Sequence, residues 1–232
     1  MEISPINMKR IYQSIIGQLI DLIKHGKLKV GERLPPERSL AEMFKVSRAS
    51  IREAFSAMEI IGLIEVKPGE GSFVTNLSIG PFISIISPLF VTNENIDTDL
   101  LDFRKLIEIE AVKHAAMKSD EAGQALLQRH LSMMEEAFRR NDIVMGAEAD
   151  INFHKEIFNL TGNCILIKAA ECTVYLLESS IKFNRTKILK NEKNSKILFD
   201  QHTRIFNAIR LKNIQEAAEI MDRHLSFVRE IN

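Results

Sequence analysis

The chain has 232 residues, enough for one large or two modest domains, and its 31 basic side chains balance 31 acidic ones. With no Trp and only two Tyr, it offers little for stacking on single-stranded nucleic acid. Residues 1–4 (MEIS) lack a signal-peptide pattern, and no apolar run reaches membrane-spanning length, so we expect a cytoplasmic protein without a membrane partner. Cys164 and Cys172 match no zinc-finger or CxxC spacing, and we expect buried free thiols.

Residues 34–58 predict two short amphipathic helices separated by a tight turn at residues 45–47. Pro36 suits the first turn of a helix, where a missing N–H costs nothing. Ser47 suits the N-cap of the second helix, because its hydroxyl accepts an exposed first-turn N–H. The apolar stripe that must face a core in this second helix is Ile51, Ala54, Phe55 and Met58.

The polar face of the second helix is typical of a helix that reads DNA. Arg48 and Arg52 share this face, and an Arg near the start of a recognition helix donates two hydrogen bonds to guanine. Arg38, Ser47 and Ser50 are better placed for phosphates, which set the register on DNA. Residues 24–52 carry eight Lys or Arg against three Glu, the local positive charge that a phosphate backbone attracts.

Two short strands are predicted at residues 63–66 and 72–75, with turn chemistry at residues 67–71 between them. Helix, turn, helix and hairpin in this order indicate a winged helix-turn-helix that binds double-stranded DNA. The alternative from the pattern alone is a small three-helix domain whose hairpin makes protein contacts.

This segment resembles the GntR family of bacterial transcription regulators over about residues 8–76. The matching motifs are residues 31–41 (GERLPPERSLA), 46–54 (VSRASIREA), 62–64 (GLI) and 69–74 (GEGSFV). In the family, the residues that match Arg38, Arg48 and Arg52 contact DNA, with help from the turn serine and the wing glycines. The DNA-binding residues expected here are Arg38, Ser47, Arg48, Ser50, Arg52, Lys67, Gly69 and Gly71.

The rest of the chain predicts long helices, so the fold class is mainly α. The predicted helices cover residues 98–118, 121–140, 142–160, 164–189, 195–212 and 214–229. They indicate an antiparallel all-α bundle of six or seven helices. The predicted organisation is a winged helix-turn-helix at residues 8–76, a linker at 77–81 and a helical effector domain at 82–230.

One carboxylate and three imidazoles fall on inward faces of these helices. Asp150 and His154 are four residues apart and project from one helix face, while His202 and His224 lie among apolar residues of the last two helices. Together they form a candidate site for a divalent transition metal; zinc, nickel and manganese all suit such ligands. The alternative is that each histidine is a hydrogen-bonded structural residue.

Most of residues 80–230 resemble the FCD ligand-binding domain of FadR-type members of the family. The motifs are Arg104-x-x-x-Glu108, Asp150-x-x-x-His154, residues 161–163 (TGN), residues 202–209 around His202, and residues 217–225 around His224. In metal-containing members, the residues that match Asp150, His154, His202 and His224 ligate the metal. A small carboxylate effector would bind near it, with Arg104 and Arg185 as the expected cations.

The resemblance implies a homodimeric regulator, expected to be a repressor, that reads a palindromic operator and responds to a small organic acid. One alternative is a regulator that senses the metal ion itself. Another is a metal-dependent hydrolytic enzyme with a DNA-binding domain. The sequence disfavours the enzyme, because it shows no nucleophile–base pair with meaningful spacing.

Overall fold

The computed structural model describes the backbone of residues 11–76, 78–90, 96–189 and 191–231, and the side chains of these residues except 97 and 177–189. The chain divides into two compact units, one ending at Ile85 and the other beginning at Ile86. No helix in the described ranges is both long and apolar enough to cross a membrane.

The first unit is a helix-turn-helix followed by a hairpin. Its elements are α1 (Ile11–Lys24), α2 (Glu37–Phe44), α3 (Arg48–Ile60), β1 (Ile64–Lys67) and β2 (Gly71–Val74). The strands pair antiparallel, with Ile64 opposite Val74 and Lys67 opposite Gly71. Each strand begins and ends within one residue of its predicted position. The two strands pair up to the turn between them, where Lys67 lies opposite Gly71.

The core of the first unit contains the predicted stripe of α3. Ile51, Ala54, Phe55 and Met58 are all buried there, together with side chains from α1, α2 and both strands. The apolar face of α3 therefore turns inward, and the face that carries its arginines turns to solvent. A further helix, α4 (Gly80–Phe90), begins inside the predicted linker of residues 77–81 and continues past the division between the units.

The second unit is an all-α bundle, as predicted. Its described helices are α5 (Ile96–Lys118), α6 (Glu121–Arg140), α7 (Ile143–Leu160), α8 (Cys164–Leu189), α9 (Glu192–Arg210) and α10 (Ile214–Glu230). Short turns join sequential neighbours, and one apolar core runs through all six helices from α5 to α10. Asp142 and Asn213 cap the starts of α7 and α10 with their side chains. The ninth helix begins three residues earlier than predicted, because Asn191 caps it.

The predicted burial of both cysteines is wrong. Both thiols are free, but Cys164 is exposed and Cys172 is only half-buried. Cys164 is the first residue of α8, directly after the turn that follows α7, and a first-turn position there faces solvent. Partial burial, together with the neighbouring Glu171 carboxylate, raises the pKa of the Cys172 thiol.

The junction between α3 and the hairpin has room only for glycine. Gly62 has φ +70°, and a Cβ at this position would lie 1.8 Å from the backbone oxygen of Ser78. We expect Gly62→Ala to lower the free energy of unfolding by more than about 1 kcal/mol, because both the backbone conformation and the contact oppose a side chain. Urea unfolding followed by circular dichroism measures this loss.

Gly17→Ala is the matched control, because Gly17 lies inside α1 and a Cβ there would meet no heavy atom within 4 Å beyond its own stretch of helix. It should stabilise the protein by roughly 0.5–1 kcal/mol, since alanine loses less conformational entropy in a helix. Equal stability of the two variants would contradict the assignment of Gly62.

Candidate nucleic-acid interface and candidate metal centre

The predicted recognition helix, α3, begins directly after Ser47, which caps it as the sequence predicts. The Ser47 Oγ accepts a hydrogen bond from the backbone N–H of Ser50 at 3.1 Å, and the two hydroxyls lie 2.9 Å apart. This cap places Arg48 in the first turn, on the exposed side of the helix. Arg48 makes no ion pair with any other described residue.

The other two predicted DNA-binding arginines are exposed and make surface ion pairs. Arg38 Nε lies 3.2 Å from Glu42 Oε1, and Arg52 Nε lies 3.6 Å from Glu37 Oε2. Exposed pairs of this kind contribute about 0–1 kcal/mol, so they do not prevent the guanidinium groups from turning to phosphates. Both side chains thus remain accessible to a nucleic acid.

The three predicted wing residues lie at the hairpin. Lys67 ends β1 and Gly71 begins β2, while Gly69 lies in the exposed turn between them. The Lys67 ammonium is 5.2 Å from the centre of the Phe73 ring and 3.8 Å from Glu65 Oε2. The ring and the carboxylate hold this cation beside the turn.

In the second unit, three helices bring the predicted metal ligands together. Asp150 and His154 come from α7, His202 from α9 and His224 from α10, and all four are buried. Ligand-capable nitrogens of the three histidines lie within 4.8 Å of one another. The Nε2 atoms of His154 and His202 are 3.2 Å apart, and Asp150 Oδ1 is 3.1 Å from His202 Nε2.

Each of the three histidines has an oxygen outside the cluster close to its Nδ1. His202 Nδ1 hydrogen-bonds the Leu198 carbonyl oxygen at 2.7 Å and His224 Nδ1 hydrogen-bonds Gln201 Oε1 at 2.9 Å, while His154 Nδ1 lies in ion-pair contact with Glu108 Oε2 at 2.5 Å. An oxygen acceptor selects the tautomer that is protonated on Nδ1, so the lone pair resides on Nε2. Partners of this kind orient the histidines of metal sites.

The donor set fits a divalent cation. With Nδ1 protonated in each ring, the Nε2 lone pairs of His154 and His202 and the Asp150 carboxylate converge on one small region. Three acceptors at such distances repel one another unless a cation or a proton lies between them. Imidazole nitrogen with one carboxylate suits zinc, nickel and manganese alike, so the chemistry does not select one of the three.

Burial favours the neutral forms of His154 and His224 by lowering the pKa of each. Burial lowers the pKa of His154, although the Glu108 carboxylate opposes the shift. Burial and the neighbouring His202 and His154 lower the pKa of His224 well below its ordinary value of 6.5. Burial alone would raise the pKa of Glu108, but Arg104 and His154 outweigh it and hold that pKa well below its usual range. Neutral imidazole is the form that binds a metal.

Stability without metal should therefore decrease as the pH falls below about 6.5, the ordinary histidine pKa. His154 and His224 have lower pKa values in the folded state, so the unfolded chain takes up their protons first. Urea unfolding with a chelator present, at pH 7 and pH 5, measures the difference. His224→Ala should show a smaller dependence on pH, and an unchanged dependence would contradict this origin.

A cavity of about 580 Å³ reaches the cluster between α6, α7 and α9. Asp150 and His202 form part of its wall, so the candidate metal centre is accessible from it. Arg139, Asn141 and Ser195 line the same cavity and supply hydrogen-bond donors. Apolar side chains such as Leu198 and Phe199 cover much of the remaining wall.

Arg104, the first predicted effector-binding cation, is buried and held by Glu108. Its Nε lies 2.7 Å from Glu108 Oε1. Both residues border a separate cavity of about 30 Å³ next to His154. The side chain of Arg185, the second predicted cation, lies outside the described residues.

Comparison with known proteins supports both halves of the chain. The profile of bacterial regulatory proteins of the gntR family matches residues 11–74, and that of the FCD domain matches residues 99–227. The chain belongs to the GntR family of bacterial regulatory proteins. It is a DNA-binding transcription regulator with an FCD domain, and the proteins it matches are transcription regulators rather than enzymes.

Relatives and structures match this GntR regulator over nearly its whole length. It is 32% identical over 211 residues to the HTH-type transcriptional regulator LutR of Bacillus subtilis, which covers 90% of this chain and 95% of LutR. It is 28% identical over 229 residues to the HTH-type transcriptional repressor NanR of Klebsiella aerogenes, covering 97% and 86% of the two chains. The structure of Streptococcus agalactiae GntR aligns with a TM-score of 0.74 and 25% identity, over 94% of this chain and 99% of that one.

Three features of this regulator's second unit were not assigned a role from sequence: the contact of Glu108 with His154, the contact of Gln201 with His224, and the large cavity. A role for Glu108 could have been predicted from sequence, because Glu108 lies one helical turn from Arg104 in one of the FCD motifs. No sequence pattern distinguishes Gln201, since a single Gln beside a His is common on helices. The cavity depends on how three helices pack, which no local pattern encodes.

Proposed function

We propose that this GntR regulator is a cytoplasmic, homodimeric repressor whose affinity for a palindromic operator is controlled by a small organic acid. The acid would bind beside a divalent metal held by Asp150, His154, His202 and His224. The observation that carries the proposal is the convergence of these four buried side chains at the wall of an accessible cavity.

Asp150, His154, His202 and His224 would hold the metal, which when bound would supply a Lewis acid for oxygen ligands. Asp150 and His202 border the 580 Å³ cavity, so a molecule in this cavity would reach the candidate metal centre. A carboxylate or a hydroxy-carboxylate would supply the oxygen donors. Arg139, Asn141 and Ser195 on the same wall can donate hydrogen bonds to the remaining oxygens of the acid.

The DNA-binding part of the proposal rests on the exposed arginines of α2 and α3. A two-fold dimer presents two recognition helices and therefore reads two half-sites related by the same symmetry. Repression is supported by the likeness to NanR, whose name describes a repressor. Control of DNA binding requires that the acid bind one arrangement of the dimer more tightly than another.

The test uses full-length protein loaded with zinc, nickel or manganese in turn. Thermal unfolding is measured with acetate, lactate, glycolate and citrate, and a ligand present at 100 times its Kd should stabilise the fold by about 2.7 kcal/mol. Affinity for DNA that the protein selects from a random pool is then measured with and without the stabilising acid. An effect of the acid that needs bound metal supports the proposal, and an equal effect in chelator rejects the metal's part in it.

A second candidate is a regulator that senses the metal ion itself. The candidate ligands come from three helices, so an ion that joins them would by itself change how α7, α9 and α10 pack. DNA affinity that follows metal concentration and ignores all the acids favours this candidate.

A further inference from the structure

The pair Arg104 and Glu108 lies directly behind the candidate metal centre. The two residues are one turn apart on α5, and only 6% and 3% of their surfaces are exposed. Glu108 divides its two oxygens: Oε1 lies 2.7 Å from Arg104 Nε, and Oε2 lies 2.5 Å from His154 Nδ1. The three side chains therefore form a continuous line from α5 to a candidate ligand on α7.

Net stability is a poor explanation for a pair in this place. Removing two charges from water costs several kcal/mol per ion, and their attraction often does no more than offset that cost. What the pair does determine is the state of His154. With a Glu108 oxygen 2.5 Å from Nδ1, the favoured tautomer of His154 carries its proton there, which leaves the Nε2 lone pair directed at His202 and the rest of the cluster.

The three Nδ1 acceptors differ in strength. His202 faces a backbone carbonyl and His224 faces a side-chain amide, both neutral groups. At Nδ1, His154 alone of the three faces a carboxylate, which attracts an N–H more strongly than a neutral oxygen does. A carboxylate partner also makes the opposite nitrogen a better metal ligand.

We propose that Glu108 is a positioning residue that fixes His154 in its metal-binding tautomer, and that Arg104 holds Glu108 in the orientation that this task requires. The inference rests on the proposed metal centre and deepens it. It assigns Arg104 to support of the centre through Glu108 rather than to direct contact with an organic acid.

Glu108→Gln tests the inference with almost no change of shape. Arg104 Nε still needs an acceptor, so the amide oxygen should face it and the amide nitrogen should face His154. Nδ1 must then accept a hydrogen bond, and its proton moves to Nε2, the atom that should bind the metal. To bind a metal, the variant must return this proton to Nδ1 against the hydrogen bond from the introduced amide, so its affinity for metal should fall by roughly 10–100-fold.

Two measurements on the full-length chain determine the tautomer of His154 and the affinity for metal. Nitrogen-15 NMR of the metal-free protein reports the tautomer of each histidine, and titration with Co²⁺ against a competing chelator reports affinity and the absorption spectrum of the site. In Glu108→Gln we expect His154 to change from the Nδ1–H to the Nε2–H form while His202 keeps its tautomer. A loss of stability alone would not produce this selective change.

Asp102→Asn is the matched control. It removes another carboxylate of α5 that pairs with an arginine, Arg229 at 2.6 Å, but this exposed pair does not touch the cluster. It should leave both the tautomers and the Co²⁺ affinity unchanged. A loss of affinity in this variant equal to that in Glu108→Gln would overturn the inference, because any α5 ion pair would then suffice.

If Glu108→Gln does not fold, the metal-free wild-type protein still tests the inference. His154 of the metal-free wild type should carry its proton on Nδ1, and finding it on Nε2 overturns the role of Glu108. If the wild type binds no metal, the proposed function fails at its metal centre. If the wild type binds metal and a folded Glu108→Gln variant binds it equally well with an unchanged tautomer, only the positioning role fails.

Discussion

Replacing both His154 and His202 by alanine is expected to leave the purified protein without stoichiometric metal. The double variant removes the two nitrogens that lie 3.2 Å apart at the centre of the cluster, including the His202 Nε2 that lies 3.1 Å from Asp150 Oδ1. Metal at 1,000 times its Kd should stabilise the wild type by about 4 kcal/mol and the variant by nothing measurable. Elemental analysis after dialysis and thermal unfolding with added metal measure the two effects.

The chain offers a control with the same number of histidines removed. His114 and His130 lie outside the cluster, and His114 faces Glu110 at 3.6 Å instead. Replacing both by alanine should preserve the metal content and the response of DNA binding to organic acids. Unchanged metal in the His154 and His202 double variant would reject the site outright.

Arg48→Ala should weaken binding to the selected operator by roughly 1–3 kcal/mol more than binding to random DNA. Arg48 lies exposed in the first turn of α3, where a recognition helix places side chains against base edges. The variant should therefore lose mainly the ability to distinguish the operator from random DNA. Titrations of both DNAs by fluorescence anisotropy, at one fixed salt concentration, measure the difference.

Arg38→Ala provides the contrast within the same surface. Arg38 is expected to contact phosphate, so its loss should weaken binding to both DNAs to a similar extent and reduce the salt dependence by about one unit of slope. Arg210→Ala, an exposed arginine of the other unit, should change neither. An equal loss on both DNAs for Arg48→Ala would reject its assignment to base reading.

Local sequence chemistry determined most of the elements. Ser47 is the cap of α3, and the stripe from Ile51 to Met58 is buried, because capping and helical periodicity are properties of a few consecutive residues. The same reasoning placed Asp150 and His154 on one face of α7. It was wrong for the burial of Cys164, since exposure of the first residue of a helix depends on what packs beside it.

The composition of the candidate metal centre needed more than local pattern. Periodicity marked inward faces for His202 and His224 and made a shared site with α7 one of two hypotheses, and the resemblance to FCD domains favoured it over separate structural histidines. The distances follow from how the bundle packs. His154 and His202 are 48 residues apart in the chain and have their Nε2 atoms 3.2 Å apart in space.

By itself, the sequence determined the helices, the exposed arginine face of α3 and the residue types of the candidate metal centre. Only the tertiary structure decided that Glu108 stands behind His154, that Gln201 faces His224, and that a cavity opens beside Asp150. The physical reason is that periodicity specifies which side of a helix is buried. The rotation and offset of one helix against another are set by side-chain packing across the whole core.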